Sequence, residues 1–412
     1  MVPEDWSTPN LGQLIHSVEY GSSAKSRPDG DIPVLRMGNL QNGAIDWRDL
    51  VFTNDAAEIK KYLLSAGDVL FNRTNTIDLV GKTAIYKGER PAVFAGYLIR
   101  INENKSLLDS RFLNYVLNAY FSKKYSLKIL SVAVGQANIN GQKLKTYPLP
   151  LPPTLTEQQA IAEVLSEADS LIDSLEQLLI KKRHIKQGAM QGLLTGAMRL
   201  PGFERSSKYK KTELGLVPID WDVIPLRQVA QCLIGLTYSP DDVRSSGTLV
   251  LRSSNVQNGV LSYDDNVFVE MELPSRVITK KGDILVCVRN GSRQLIGKCA
   301  VIDDFGAGMA FGAFMAVLRS AESAIVFQLF QSSFLKRQIS DGMGATINQI
   351  TNRDMAGYKV IWPSLEAERN AIATTLSEMD DEIIAIETKL QKARHLKQGM
   401  MQELLTGRIR LV

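Results

Sequence analysis

The residues whose types and spacing come nearest to a hydrolytic centre are Pro28-Asp29 and, further on, Glu58-Ile59-Lys60. An aspartate followed by Glu-x-Lys can hold a divalent cation through hard carboxylate oxygens while the lysine offsets charge on an attacked phosphate. The pattern is short and frequent by chance, and the second half of the chain has Pro240-Asp241 with no Glu-x-Lys in the corresponding stretch. Three histidines (His16, His184 and His395) are too few and too scattered for a metal site or a nucleophile triad. Cys232, Cys287 and Cys299 share no metal-ligand spacing and cannot build a disulfide framework, which suits a reducing cytoplasm. "GSRQLIGKC" has one residue too many between Gly291 and Gly297 for a GxxxxGK[ST] loop, and Cys299 stands where Ser or Thr belongs. "FGAGMAFGAF" (Phe305–Phe314) is glycine-rich without G-x-G-x-x-G spacing and reads as close packing or a bend. No NPPY- or DPPF-like tetrapeptide of the amino-methyltransferases is present. The sequence shows no catalyst, metal site or cofactor site of its own.

Chemistry of another kind sits in three polar clusters, each written twice. The first is "VLRMGNLQNG" with Arg36, Asn39, Gln41 and Asn42, matched by "VLRSSNVQNG" with Arg252, Asn255, Gln257 and Asn258. The second is "NRTNTIDLVGK" with Asn72, Arg73, Asn75, Thr76 and Lys82, matched by "VRNGSRQLIGK" with Arg289, Asn290, Ser292, Arg293 and Lys298. The third is "VGQANINGQK" with Gln136, Asn138 and Lys143, matched by "GATINQITNR" with Asn348 and Arg353. Arginine pairs bidentately with guanine, Asn or Gln with adenine, and Lys, Ser and Thr with phosphate. A polar loop is by default only a loop, but three clusters at matched positions in both halves favour DNA contact for the loops as a group. Arg73→Ala and Arg289→Ala are each expected to relax recognition in a different half-site.

These clusters need elements to hold them, and those elements are also duplicated. "PEDW" (Pro3–Trp6) returns as "PIDW" (Pro218–Trp221), "GDVLFNR" from Gly67 as "GDILVCVR" from Gly282 with one extra residue, and "RHIKQGAMQGLLTG" from Arg183 as "RHLKQGMMQELLTG" from Arg394. Order is kept throughout, so the 412-residue chain is two copies of one plan. With 44% hydrophobic and 22% charged residues it reads as globular, and a net charge of +4 fits nucleic acid without arguing for it. No apolar stretch reaches the roughly 20 residues of a membrane helix. Short β-branched runs between turn signals predict mixed α and β structure, with one amphipathic helix per copy at Phe112–Leu130 and Ala324–Ile339.

After each proline stop a long helix follows, the first capped by Thr156 with Gln159. Ile161, Leu165, Ala168, Ile172, Leu175 and Leu179 step at heptad spacing, as do Ile372, Leu376, Met379, Ile383, Ile386 and Leu390. Two matching seams in one chain predict mutual pairing. About 40 helical residues make a rod of roughly 60 Å, and the short solvated stretch from Leu200 favours an antiparallel pair with a domain at each end.

"LPP" followed by "EQQAIA" and closing on "LLTG", the Pro-x-x-Trp starts, the Gly-Asp-hydrophobic strands and the "TELGLVPIDW" entry together resemble the specificity subunit of a type I restriction–modification system, over essentially the whole chain. The second copy departs with "WPSLEAERNAIA", where Glu368-Arg369 replaces Gln158-Gln159. The resemblance implies an α+β fold with two target-recognition domains at 1–150 and 218–361. Spacer helices would occupy 151–199 and 362–412, with a linker at 200–217. It implies a non-catalytic, cofactor-free, cytoplasmic subunit that reads a bipartite site on double-stranded DNA. Two methyltransferase subunits would dock on the spacer, through Arg183, His184 and Gln187 and through Arg394, His395 and Gln398, and motor–nuclease subunits would complete the complex. Adenine N6 methylation and ATP-dependent cleavage would belong to those partners. A DNA-modifying enzyme with unrecognised motifs, or a coiled-coil scaffold without a DNA role, are the competing readings.

Overall fold

The computed structural model describes residues 3–133, 135–204, 208–343 and 348–411. It divides into two units, Met1–Glu176 with Thr388–Val412, and Gln177–Glu387. Each unit holds one globular domain and a pair of helical segments, one from each long helix.

In the first domain a four-stranded antiparallel sheet runs in the order Ile15–Tyr20, Leu98–Glu103, Val69–Asn72, Thr83–Ile85. The second domain repeats it with Gln231–Ile234, Met315–Arg319, Ile284–Cys287 and Cys299–Val301. "VLFN" and "ILVC" are buried along their whole length, as their apolar runs demand of an interior strand, with Asn72 the one polar member. A smaller sheet in each domain contains one parallel pair, Val34↔Val93 or Val250↔Ala310.

The single amphipathic helix expected in each domain is two consecutive helices. These are Ser110–Asn118 and Tyr120–Ile129 in the first domain, Ser323–Gln331 and Ser333–Gly342 in the second. Ala119 and Ser332 are extended between them, and the Ser332 side chain caps the following helix at Leu335 N. A hydroxyl that offers the backbone another acceptor favours such a break.

The long helices span Leu155–Thr195 and Glu366–Leu404. Thr154, the first hydroxyl after the proline pair, accepts from Glu157 N at 3.2 Å. The cap therefore lies two residues before the expected Thr156. Within the first unit Lys397 pairs with Asp169, and Arg394 with Glu176 at 2.5 Å. Within the second, Lys186 pairs with Asp380, and Arg183 with Glu387 at 2.5 Å. Numbers rise on one helix as they fall on the other, so the pair is antiparallel, and the bridges of one unit are the internal-repeat images of those in the other.

Of the predicted seam, Ile172, Leu179, Ile386 and Leu390 are buried, and Leu175 and Ile383 half-buried. The first two members of each seam do something different. Ile161 and Leu165 join the first domain's core with Leu404 and Leu405, while Ile372 and Leu376 join the second's with Leu193 and Leu194. The leucines of each "LLTG" thus complete the core of the domain from the other copy.

Gly196 and Gly407 end these helices in the left-handed region, at φ 73° and 71°. A Cβ on Gly407 would stand 2.6 Å from Pro3 Cγ and 3.0 Å from Trp6 Cε2, and one on Gly196 would collide with Pro218. The repeated glycine is therefore the mate of the repeated Pro-x-x-Trp. Gly407→Ala is expected to lower stability by about 1–3 kcal/mol, read as an earlier thermal melt.

Arg199 and Arg410 follow these turns into matching clusters. Arg410 donates to Glu157 and Asp5, and Arg199 to Glu368 and Asp220. Glu368 is thus the counterpart of Glu157, and the true departure of the second copy is Arg369 in place of Gln158. Gln158 accepts from Asp109 N at 3.0 Å, and Arg369 donates to Glu322 Oε2 at 2.5 Å. Each ties its long helix to the residue that precedes the domain's own helix pair. The stretch read as a solvated linker carries a hairpin, Tyr209–Thr212 against Gly215–Pro218.

Candidate nucleic-acid interface

The three polar clusters converge in each domain. In the first, Thr74–Asn75 pairs with Gln136–Asn138, which pairs with Ser131–Ala133. Asn138 Nδ2 donates to Thr74 Oγ1 at 2.7 Å, and Lys143 Nζ to Ser131 Oγ at 2.5 Å. Lys82 Nζ reaches Gln41 Oε1 at 3.1 Å and brings in the Asn-Gly hairpin. In the second domain Lys298 Nζ donates to Val256 O at 2.9 Å, and Asn290 Nδ2 to Ser253 Oγ at 3.0 Å. Asn348 Nδ2 donates to Gly291 O at 3.0 Å, and Arg289 bridges to Gln349. Residues 344–347 of this third cluster lie outside the described residues.

Convergence does not make every member a reader. Asn39 and Asn255 are buried. Asn39 accepts from Arg36 N and donates to Asp46 O and Arg48 O, each at 2.9 Å. Asn255 does the same with Arg252 N, Ser262 O and Asp265 O. Both are loop clips, an amide being able to accept and donate twice at once. Arg36 braces Asp49 O at 2.6 Å and Arg252 pairs with Asp265 at 3.0 Å. Asn72 is wholly buried. The three asparagines are thus sealed from a base, and the two arginines spend part of their donors on their own loops. Asn39→Ala and Asn255→Ala are expected to cost about 1–3 kcal/mol of stability, with the DNA affinity of the folded fraction unchanged in a titration.

Asn42 and Asn258 turn their hairpins at φ 54° and 50°, each followed by a left-handed glycine, the tight turn that Asn-Gly favours. Both are exposed, as are Thr76, Gln136, Gln257, Arg289, Ser292, Arg293 and Arg353. Gln41, Arg73, Asn75, Lys82, Asn138, Lys143, Asn290, Lys298 and Asn348 are half-buried.

The two arginines differ in kind. Arg73 N donates to Tyr97 O at 3.0 Å, a place taken in the second domain by Val288 N with Phe314 O, also at 3.0 Å. The extra residue of the second copy therefore carries Arg289 one position outward. Arg73 lies over the Tyr20 ring at 4.8 Å, whereas exposed Arg289 lies over Phe314 at 4.9 Å. Tyr97 and Phe314 themselves escaped sequence reasoning; the available signal was the matched pair "FAGY" and "FGAF".

The earlier chemical candidates are accounted for locally. Glu58 is bound by the Ser22 hydroxyl, and Asp29 lies on an exposed turn. Burial pushes the Cys232 thiol up to about 11 and Cys299 to about 12, away from the thiolate a nucleophile needs. Among the described residues no three His, Cys, Asp or Glu side chains are grouped to hold a metal ion, and no helix is long and apolar enough to cross a membrane.

The family model described as type I restriction modification DNA specificity domain matches residues 3–182 and 218–393. The provisionally named type I restriction enzyme MjaX specificity subunit of Methanocaldococcus jannaschii is 30% identical over 100% of this chain and 95% of its own. The MjaVIII specificity subunit of the same organism is 24% identical over 100% and 94%. In fold, the chain is similar to the crystal structure of the S subunit of a type I system from M. genitalium, with a TM-score of 0.63 at 15% identity over 97% and 96% of the two chains.

Proposed function

Because this chain belongs to the type I restriction–modification DNA specificity family, we propose that it chooses the DNA on which a larger methylating and cleaving assembly acts, one half-site per domain. The observation that carries this reading is the convergence of three polar clusters in each domain, with the loop-bracing residues shared between the copies and many of the other polar residues different. Phosphate contacts would make affinity salt-dependent and base contacts would set the sequence. The paired helices would fix the gap, holding two readers about one duplex turn apart, roughly 34 Å or a multiple. Adenine methylation and ATP-dependent cleavage would fall to two methyltransferase subunits and to motor–nuclease subunits in the cytoplasm.

The docking of methyltransferase subunits has support in the second half of each helix. Arg183 and Arg394 are engaged in ion pairs within the chain, but His184, Gln187, His395 and Gln398 are exposed. Beside them Gly188 and Gly399 sit inside the helices, and among the described residues nothing outside the helix's own backbone and chain neighbours would come within 4 Å of a side chain's first carbon there. An exposed helical glycine costs about 1 kcal/mol relative to alanine, and nothing among the described residues requires one here. A partner backbone in close approach accounts for both.

Mapping methylated adenines across the genome of a host expressing this chain with its methyltransferase partner tests the function. A bipartite motif is expected; methylation without a shared motif sinks the proposal. Deleting one heptad from both helices at matched positions should change the gap and leave the half-sites intact. Deletion from one helix alone would shift the Arg183–Glu387 and Lys186–Asp380 pairs out of register, so the matched deletion is the informative one.

A further inference from the structure

We infer that Tyr97 and Phe314 are a matched pair of DNA-wedging rings, each pressing on a base step of the half-site read by its own domain; the inference rests on the DNA-reading function proposed above. These rings are 51% and 54% exposed. A single exposed aromatic needs no explanation, but these two stand at the same place in two domains whose neighbouring loops differ. The backbone oxygen of each holds the strand end from which the arginine cluster springs, Tyr97 O at Arg73 N and Phe314 O at Val288 N and Arg289 N. On its far side the same strand end accepts from the third cluster, Ile139 N to Arg73 O at 2.9 Å and Ile350 N to Val288 O at 2.8 Å. The residue that carries each ring is therefore anchored at the edge of the assembled polar clusters, and the Phe314 ring lies against Arg289.

The turns that present the rings are held firmly. Gly96 N donates to Ser22 O at 2.6 Å and Gly312 N to Leu251 O at 3.0 Å, and tight turns close at Leu98 N to Ala95 O and Met315 N to Gly312 O. A ring fixed in this way loses little freedom on binding. The Arg289 guanidinium covers one face of Phe314, an arginine–aromatic pairing suited to nucleic acid. What Tyr and Phe share is the ring, not the hydroxyl, so the common role is insertion or stacking and not hydrogen-bond readout. Apolar side chains inserted at a base step unstack and bend duplex DNA, and extrusion of a target base for methylation leaves a gap for such a ring to fill.

The test uses the full chain assembled with its methyltransferase partner and a duplex of the mapped site carrying 2-aminopurine at successive positions of either half. Phe314→Ala should weaken binding roughly tenfold and abolish the 2-aminopurine fluorescence rise in the second half-site only. Tyr97→Ala should do the same in the first. Tyr97→Phe and Phe314→Tyr should behave as wild type. Unchanged affinity and fluorescence in both alanine variants overturn the inference. So does a loss confined to assembly with the partner, which would make the rings protein contacts. If the wild-type complex shows no preference for the bipartite duplex, the DNA-reading function itself fails and takes this inference with it.

Discussion

Arg199→Met should lower the unfolding free energy by about 3–5 kcal/mol, the usual cost of leaving one member of a buried ion pair alone. Arg199 meets Glu368 in a two-pronged contact, Nε to Oε1 at 2.5 Å and Nη2 to Oε2 at 2.8 Å, and holds Asp220 through two further bonds of 3.1 Å. The side chains of Arg199 and Glu368 are 7% and 1% exposed, so solvent screens little of the interaction. Without Arg199, the Glu368 carboxylate keeps the Trp221 Nε1–H, 3.1 Å away, as its side-chain donor. Urea unfolding at neutral pH reads the loss directly, and Arg199→Met with Glu368→Met should recover most of it. A single-variant loss that stays small would make the cluster an incidental surface contact. Arg410→Met should cost less, because Arg410 is 31% exposed.

The duplication, the strands and the long helices are legible in the sequence because their signals are local: β-branched runs, heptads and proline stops. What the repeated "LLTG" does is not local. Arg199 and Glu368 are 169 residues apart, and Arg410 and Glu157 are 253 apart. No periodicity connects such positions, so neither the place of each "LLTG" in the other copy's domain core nor the clasp made by the arginine after it is legible in the sequence. The polar clusters fail for a different reason. Asn is equally good at reading adenine and at clipping a loop, and residue type alone does not choose between them.

The internal repeat supplies the missing criterion. Two domains that read different DNA should keep their scaffold identical and vary their readers. Arg36-x-x-Asn39 and Arg252-x-x-Asn255, the Gln-Asn-Gly turns, and Lys82 with Lys298 are identical between copies, and in the structure each braces or turns a loop. Among the positions that change, Thr76, Gln136, Arg293 and Arg353 are exposed. Tyr97 and Phe314 fit between these classes, since a ring that wedges without hydrogen bonding need not vary with the sequence read.

By the same criterion Arg289→Ala should relax recognition in the second half-site, weakening binding to the preferred sequence by about 1–3 kcal/mol and leaving the first half-site untouched. Arg289 occupies the residue that the second copy adds, so the first domain has no counterpart at this position. It is exposed, and among the described residues no carboxylate pairs with its guanidinium; the Phe314 ring at 4.9 Å orients it without using its hydrogen-bond donors. A planar fork held on a ring and free to donate suits two acceptors on one base edge, which in the major groove means guanine O6 and N7. Arg73 is a weaker candidate, since it lies half-buried on Tyr20 and donates to Gly96 O at 3.4 Å. Arg73→Ala should therefore register as lost stability before it registers as altered methylation. The methylated-adenine map of the Arg289→Ala complex is the measurement, with Arg289→Lys beside it. Lysine keeps the charge but not the fork, so a base reader should be lost in both variants, whereas a phosphate contact should survive in the lysine one. Equal weakening on every DNA sequence would demote Arg289 to a backbone contact and shift the second domain's specificity to Ser292, Arg293 and Arg353.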